Sequence, residues 1–403
     1  MRIAMISEHA SPLAAGADAG SQSIHVAALS AALVRQGHEV TVYTRRESRR
    51  VPAMVQVPDG YRVVHVPAGP AKRLSKDDLL PFMGEFGRIL RSRWAKDRPD
   101  VAHAHFWMSG LASVLAAKDL DIPVTQTFHA LGAVERHHQG PHDTSPADRV
   151  RLERIIAKQV DQVIATSSKE VFELVRMGLP RSRAAVIPCG VDLSMFTPAG
   201  DVAPRRARHR VVCAGKLVPR KGFDTAIFAL AALPETELVI AGGPESGAFA
   251  HSPEVRRLRA TAAYAGVGDR VSFPGAVSRE KMPALLRSAD AVVCTPWYES
   301  FGIVPLEAMA CEVPVVAAAV GGLTDTVIDG TTGLLVPPRK PRELASALGR
   351  LIKDASLREA FGLAGVDRVR ARYSWDRVAS DCLRAYGRIL RGGTFAVPAA
   401  SPS

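Results

Sequence analysis

"AVVCTPWYESFGIVPLEAMACEVPVVAAA", Ala291–Ala319, decides the fold. It opens on a short apolar run, AVVCTP, bearing the β-branched residues of a strand. Trp297 to Gly302 then read as a loop, Ile303 to Cys311 carry apolar residues at helical spacing, and PVVAAA is a second strand. Pro305 is tolerated because the first helical turn has no use for its missing N–H. Apolar runs that are continuous rather than alternating belong to strands buried on both faces, as in parallel sheets covered by helices.

The same unit recurs in both directions. Before it come RIAMIS, EVTVYT, RVVHV, VAHAH, PVTQTF, QVIATS and AAVIP, then RVVCAG, ELVIAGG and RVSFPG; after it comes GLLVP. Strands alternating with helical stretches predict an α/β chain of two doubly wound, Rossmann-like domains, and 403 residues are too many for one ordinary core. The joint falls in VDLSMFTPAGDVAPRRARHR, where Pro, Gly and Arg replace any periodic pattern. The expected organisation is a first domain over 1–195, a linker over 196–209 and a second domain over 210–373. A last amphipathic helix over 374–391 is expected to pack back on the first domain, and a Gly, Pro and Ser tail over 392–403 to be disordered. Two facing domains of this class bind ligands between the carboxyl ends of their strands.

Composition narrows the function. Five cysteines stand singly in apolar surroundings, without zinc or disulfide spacing, which fits a reducing compartment. No run reaches the ~18 apolar residues of a membrane-spanning helix, and MRIAMISEH reads as a strand rather than a signal peptide, so the expected location is cytoplasmic. A net charge of +12 calls for acidic partners: nucleic acid, an anionic membrane face or phosphorylated small molecules. The basic runs TRRESRR and PRRARHR lack interleaved aromatics and any nucleic-acid motif, so they read as solvated loops and no nucleic-acid partner is expected.

Within the opening stretch, Glu299 sits in the post-strand loop and Glu307 one helical turn inside the helix. The backbone N–H groups near Phe301, Gly302 and Ile303 begin that helix, an arrangement that suits phosphate. Carboxylates on both sides of a phosphate site suit a ligand with hydroxyls on both sides of its phosphates, as a nucleoside diphosphate sugar has. In CAGKLVPRKGFDTAI the strand from Arg210 ends in a loop bearing Lys216, Arg220 and Lys221, cations for a departing diphosphate. Each feature alone also fits a solvated surface residue; their combination in one half of the chain favours the ligand.

These residues resemble the retaining nucleotide-sugar glycosyltransferases of glycosyltransferase family 4, with the GT-B fold, over essentially all of 1–391. The E-x7-E signature is ESFGIVPLE, and GKLVPRKG, TPWYESFG, EAMACEVPVVAAAVGG, DGTTGLLVPP, GHEVTVYTRR, DVAHAHFWMSG and IPCGVDLSMF are similar in order and spacing. The inositol-phosphate glycosyltransferases are nearest in likeness, the sucrose-phosphate synthases more distant. The resemblance implies a hexosyl unit of glucose, N-acetylglucosamine or mannose type, a UDP-linked donor and no cofactor or metal. It gives Glu307 the ribose hydroxyls, Glu299 the donor sugar near the reacting carbon, Lys216 and Lys221 the diphosphate, and Phe301, Gly302 and Ile303 backbone contacts. His129 in TQTFHA would reach the donor sugar, and Gly20 in DAGSQS would let the donor approach.

Three departures stand out. Lys216 replaces the family's usual arginine and loses its planar fork. Ser21 replaces a glycine. The acceptor-phosphate positions are Lys76, Arg149, Phe106 and Ala130, so both cations remain while a tyrosine and a threonine hydroxyl are gone. An anionic or phosphorylated polyol or sugar acceptor is therefore expected. A lipid acceptor at a membrane surface, a non-catalytic nucleotide-sugar binder and a homodimer are the other readings. His103 with His105, and His137, His138 and His142 in a loop, make a weak metal candidate lacking a matching carboxylate or cysteine set.

Overall fold

In a computed structural model, which describes residues 1–14, 20–140, 143–243 and 252–392, every run read as a strand forms one. Among the described residues the chain divides into two units, one running to Pro188 and resuming at Trp375, the other spanning Cys189–Ser374. The first is built on β1 (Arg2–Ile6), β2 (Glu39–Arg45), β3 (Met54–Gln56), β4 (Arg62–Val66), β5 (Val101–His105), β6 (Val124–Thr127), β7 (Gln162–Ala165) and β8 (Ala184–Val186). The second is built on β9 (His209–Ala214), β10 (Thr236–Ala241), β11 (Val271–Gly275), β12 (Ala291–Cys294), β13 (Val315–Ala318) and β14 (Gly333–Val336).

The sheet orders are β3-β4-β2-β1-β5-β6-β7-β8 and β11-β10-β9-β12-β13-β14. All pairings are parallel except β3 with β4. Strand β3 escaped the sequence reading because three residues on a sheet edge, two of them exposed, carry no continuous apolar run. The central strands β5, β6, β10 and β13 are buried throughout, although β5 (VAHAH) and β6 (VTQT) bury His, Thr and Gln among their apolar residues. In each sheet the strand order reverses once, between β1 and β5 and between β9 and β12. Such a reversal sends the helices that follow the two neighbouring strands to opposite faces, leaving a crevice at the strands' carboxyl ends.

The helix Trp375–Leu390 buries Trp375, Val378, Ala379, Cys382, Ala385 and Tyr386, one stripe at helical spacing. It lies against the helix Ser21–Arg35, where Arg35 Nη2 meets Asp376 Oδ1 at 2.7 Å, Gln36 donates to the Asp376 carbonyl at 2.8 Å and Ser380 donates to Gln36 at 3.1 Å. The helix expected over Ile303 to Cys311 is shorter, Val304–Ala310. His137 and His138 lie on the helix Gly132–Gln139 rather than in a loop; His142, residues 18 and 19 of DAGSQS and the tail beyond 392 fall outside the described residues. Among the described residues no helix is long and apolar enough to cross a membrane, and the cysteines are free.

Candidate functional site

In the second unit the loops after β9 and β12 flank the strand-order reversal and touch. The Trp297 N–H donates to the Arg220 carbonyl at 2.9 Å, and the Thr295 hydroxyl donates to the Gly222 carbonyl at 2.9 Å. Only glycine fits at 222: its φ is +65° and a Cβ there would lie 2.0 Å from the Thr295 carbonyl oxygen. A similar constraint holds the other side of the loop. The Gly322 N–H donates to the Glu299 carbonyl at 2.9 Å, and a Cβ on Gly321 would come within 1.9 Å of that oxygen.

This scaffold sets the charged side chains. Lys221 ends a one-turn helix, Pro219–Lys221, and its ammonium donates to the Glu299 carboxylate; both groups are only partly covered. Lys216 is exposed, on the loop that follows β9. Glu307 sits on the first turn of Val304–Ala310 and is buried, with Arg279 Nη1 3.3 Å from its Oε1. Burial pushes its carboxyl up to about 7, outweighing the pull of Arg279. Phe301 is buried, while Gly302 and Ile303 are half-buried at the turn into that helix. Arg279 was missed from the sequence: it comes from the loop after β11, where nothing in SREKM marks a partner for a glutamate twenty-eight residues on. Arg339 lies over the Trp297 ring at 4.0 Å, a cation–π contact that tethers the same loop.

In the first unit the positions named for an acceptor come together. The Lys76 ammonium is 5.9 Å and the Arg149 guanidinium 5.2 Å from the centre of the Phe106 ring, and Arg149 donates to the Ala130 carbonyl at 2.9 Å. The two cations differ in kind. Lys76, at the start of a short helix, is exposed and bonded to Asp77 at 2.6 Å, and Asp77 accepts from Thr144 at 2.8 Å. Arg149, at the start of the helix Arg149–Gln159, is no surface charge. It is fully buried, with Glu153 at 2.8 Å, Glu135 at 2.5 Å and Glu153 also accepting from the Gly132 N–H. Its charge is met twice over before any ligand arrives. Beside Phe106, at 4.9 Å between rings, is His9, whose Nδ1 is 2.7 Å from the buried Glu8 carboxylate; that carboxylate also accepts from Ser109. Glu8 and His9 were missed, since two polar residues after a first strand look like any loop.

His129 ends the run that follows β6, with φ +62°, and Phe106 follows β5 with φ +77°. Both are non-glycine residues in the left-handed half of backbone space, a strain that persists where surroundings fix it. The His129 Nε2 is 3.0 Å from His105 Nδ1, and the rings of His25 and His105 lie 5.0 and 5.2 Å away. Gly20 is the N-terminal cap of the helix that carries His25, and Ser21 its first residue. No group of His, Cys, Asp and Glu among the described residues has the geometry to hold a metal ion.

Comparisons with known proteins agree along the chain. Residues 22–195 match Glycosyltransferase Family 4 and residues 203–367 match Glycosyl transferases group 1. A D-inositol 3-phosphate glycosyltransferase of Xylanimonas cellulosilytica is 38% identical over 97% of each chain, and one of Jonesia denitrificans 36% identical over 96% of each. Among solved structures, a sucrose-phosphate synthase from Thermosynechococcus elongatus superposes with a TM-score of 0.88 at 30% identity, covering 97% of this chain and all of the other. Anabaena HepE in complex with UDP-glucose has the same fold, with a TM-score of 0.73 at 20% identity over 96% of this chain and 99% of its own.

Proposed function

Since the chain belongs to the glycosyltransferase family 4 proteins of GT-B fold, we propose that it moves a hexosyl unit, with retention at the anomeric carbon and without a metal, from a UDP-linked sugar to a small anionic acceptor. The observation that carries this reading is the meeting of two loops at the reversal of the second sheet, which joins Lys221 to Glu299 and buries Glu307 beside Arg279. Glu307 accepts the ribose hydroxyls. Glu299 accepts from the sugar near the reacting carbon, and its pairing with Lys221 keeps a carboxylate beside a diphosphate from being repulsive. Lys216 and Lys221 then face the negative charge that builds as the bond from the anomeric carbon to the diphosphate breaks. The turn at Phe301, Gly302 and Ile303 lines the phosphates, and Gly20 and His129 serve the donor from the first unit.

For the acceptor, Lys76 carries the reading. It is exposed, and its Asp77 contact is one an incoming phosphate can replace, whereas Arg149 is committed to Glu135 and Glu153 and acts through the Phe106 ring and the Ala130 carbonyl. The inositol 3-phosphate named for the relatives is an anionic polyol of the expected kind. Without the two hydroxyls, Phe106 and Ala130 offer fewer bonds, each worth roughly 0.5–1.5 kcal/mol.

Steady-state kinetics and donor calorimetry on variants test the assignment. Glu307→Ala is expected to weaken donor binding, and Glu299→Gln to lower turnover more than affinity. Lys221→Ala is expected to lower the rate roughly 100-fold or more. Wild-type behaviour of either glutamate variant removes that residue from the site, and an inverted product in the initial proton NMR spectrum refutes retention.

A further inference from the structure

Four histidines of the first unit, His25, His103, His105 and His129, form one cluster behind the ends of β5 and β6. His103 is satisfied at both nitrogens, with Nδ1 2.7 Å from the Tyr386 hydroxyl and Nε2 2.9 Å from Thr127 Oγ1. His105 lies tilted against it, ring centres 4.2 Å apart, and turns its own Nδ1 to His129 Nε2 at 3.0 Å. The far nitrogen of His105, Nε2, is fully buried and has no hydrogen-bond partner among the described residues. His129 is half-buried, and its Nδ1 makes no hydrogen bond among the described residues.

We propose that His105 is a positioning residue that holds His129 as the neutral tautomer protonated on Nδ1, so that the open side of the His129 ring offers a hydrogen-bond donor to an oxygen of the bound ligand. One proton is shared between His105 Nδ1 and His129 Nε2, and either ring could own it. The buried end of the pair decides. If His129 owned it, His105 would carry its proton on Nε2, an N–H sealed from water with nothing to accept it. Orphaned buried N–H groups are rarer than unfilled acceptor lone pairs, so the proton belongs on His105 Nδ1. The ordinary preference of imidazole for Nε2–H opposes this only weakly.

His129 Nε2 is then an acceptor, and the ring's remaining proton sits on Nδ1. Burial, followed by the neighbouring histidines, holds both rings well below the ordinary histidine range, so the doubly protonated forms do not compete. His129 in this state cannot take a proton from an acceptor hydroxyl; it can only donate to an oxygen, as a sugar hydroxyl provides. The role toward a sugar rests on the donor reading given above, whereas the tautomer does not.

The test is a long-range proton–nitrogen correlation spectrum of the ligand-free full chain labelled with 15N-histidine, the His129 signals being identified by their loss in His129→Gln. The expected wild-type spectrum has His129 protonated on Nδ1. His105→Asn, whose side-chain amide reaches the place of Nδ1, is expected to keep that proton where it is. His105→Phe should move it to Nε2 and lower kcat/KM about tenfold, with Asn restoring both. A wild-type His129 protonated on Nε2 overturns the proposal even if His105→Phe fails to fold, and so does a His105→Phe spectrum that is unchanged. Transfer that fails in every protein, wild type included, strikes the transferase reading and leaves the tautomer result standing.

Discussion

On the proposed ribose contact, the burial of Glu307 gives donor binding a pH profile. Its carboxyl loses water in the second unit faster than Arg279 compensates, which is why it titrates near 7 rather than in the ordinary carboxylate range. Ribose hydroxyls donate, so the form that binds them is the carboxylate. With Glu307 in that proposed role, donor binding expels the proton that part of the population carries at neutral pH, and affinity should rise as pH rises through about 7. With that midpoint the gain is roughly tenfold between about pH 6 and about pH 8, flattening above. The diphosphate of a nucleotide sugar titrates far below this window, so the profile belongs to the protein. Calorimetric titrations of the donor across that range check it, with Glu307→Gln as control: its amide does not titrate and its profile should be flat. A wild-type profile as flat as the variant's would mean that Glu307 does not meet the ribose.

At the scale of elements, the sequence reading was strongest where periodicity and position coincide. In the second unit β12 and β13 were legible because strands buried in a parallel sheet are continuous apolar runs, and AVVCTP followed by a helix start put Glu299 in the loop and Glu307 in the helix. What pairs with them was not legible. Arg279 and Glu307, Arg149 and Glu135, and His103 and Tyr386 meet only through the fold, across separations for which side-chain spacing carries no signal. The helix Trp375–Leu390 illustrates both halves: its apolar stripe predicts that it packs, and the chain gives no hint that Tyr386 will fill the Nδ1 of a histidine in the middle of β5. That bond ties the helix to the histidine cluster of the first unit. Tyr386→Phe removes the hydroxyl while keeping the ring, leaving a buried imidazole nitrogen unpaired at about 1–3 kcal/mol. Thermal unfolding should show one transition lowered by several degrees and the other unmoved. If neither moves, the helix is held by its apolar stripe alone.

For the whole molecule, the two units carry opposite pH dependences. The first unit keeps a cluster of four histidines neutral: burial lowers His25 to about 4 and His103 to about 3, and pulls His105 and His129 well down. In the unfolded chain the same rings titrate near 6.5. Between those limits the unfolded state binds more protons than the folded one, so stability present above about 6.5 is lost as pH falls toward about 4 and 3. At pH 5 this amounts to about 2 kcal/mol each for His25 and His103. Glu153, raised to about 6 by burial, and Glu170, also raised, act in the other sense, but they are two groups against four histidines. The second unit buries Glu307, whose raised pKa gives stability that is complete below the ordinary carboxylate range and lost as pH rises through about 7. Acidification from about pH 7.5 to about pH 5 should therefore lower the first unit's unfolding temperature while the second unit's holds or rises. Differential scanning calorimetry of the full chain reads this directly, because the transition that Tyr386→Phe displaces belongs to the first unit. Two transitions falling together, or the second unit falling first, would mean that the histidine cluster is not what limits this protein in acid.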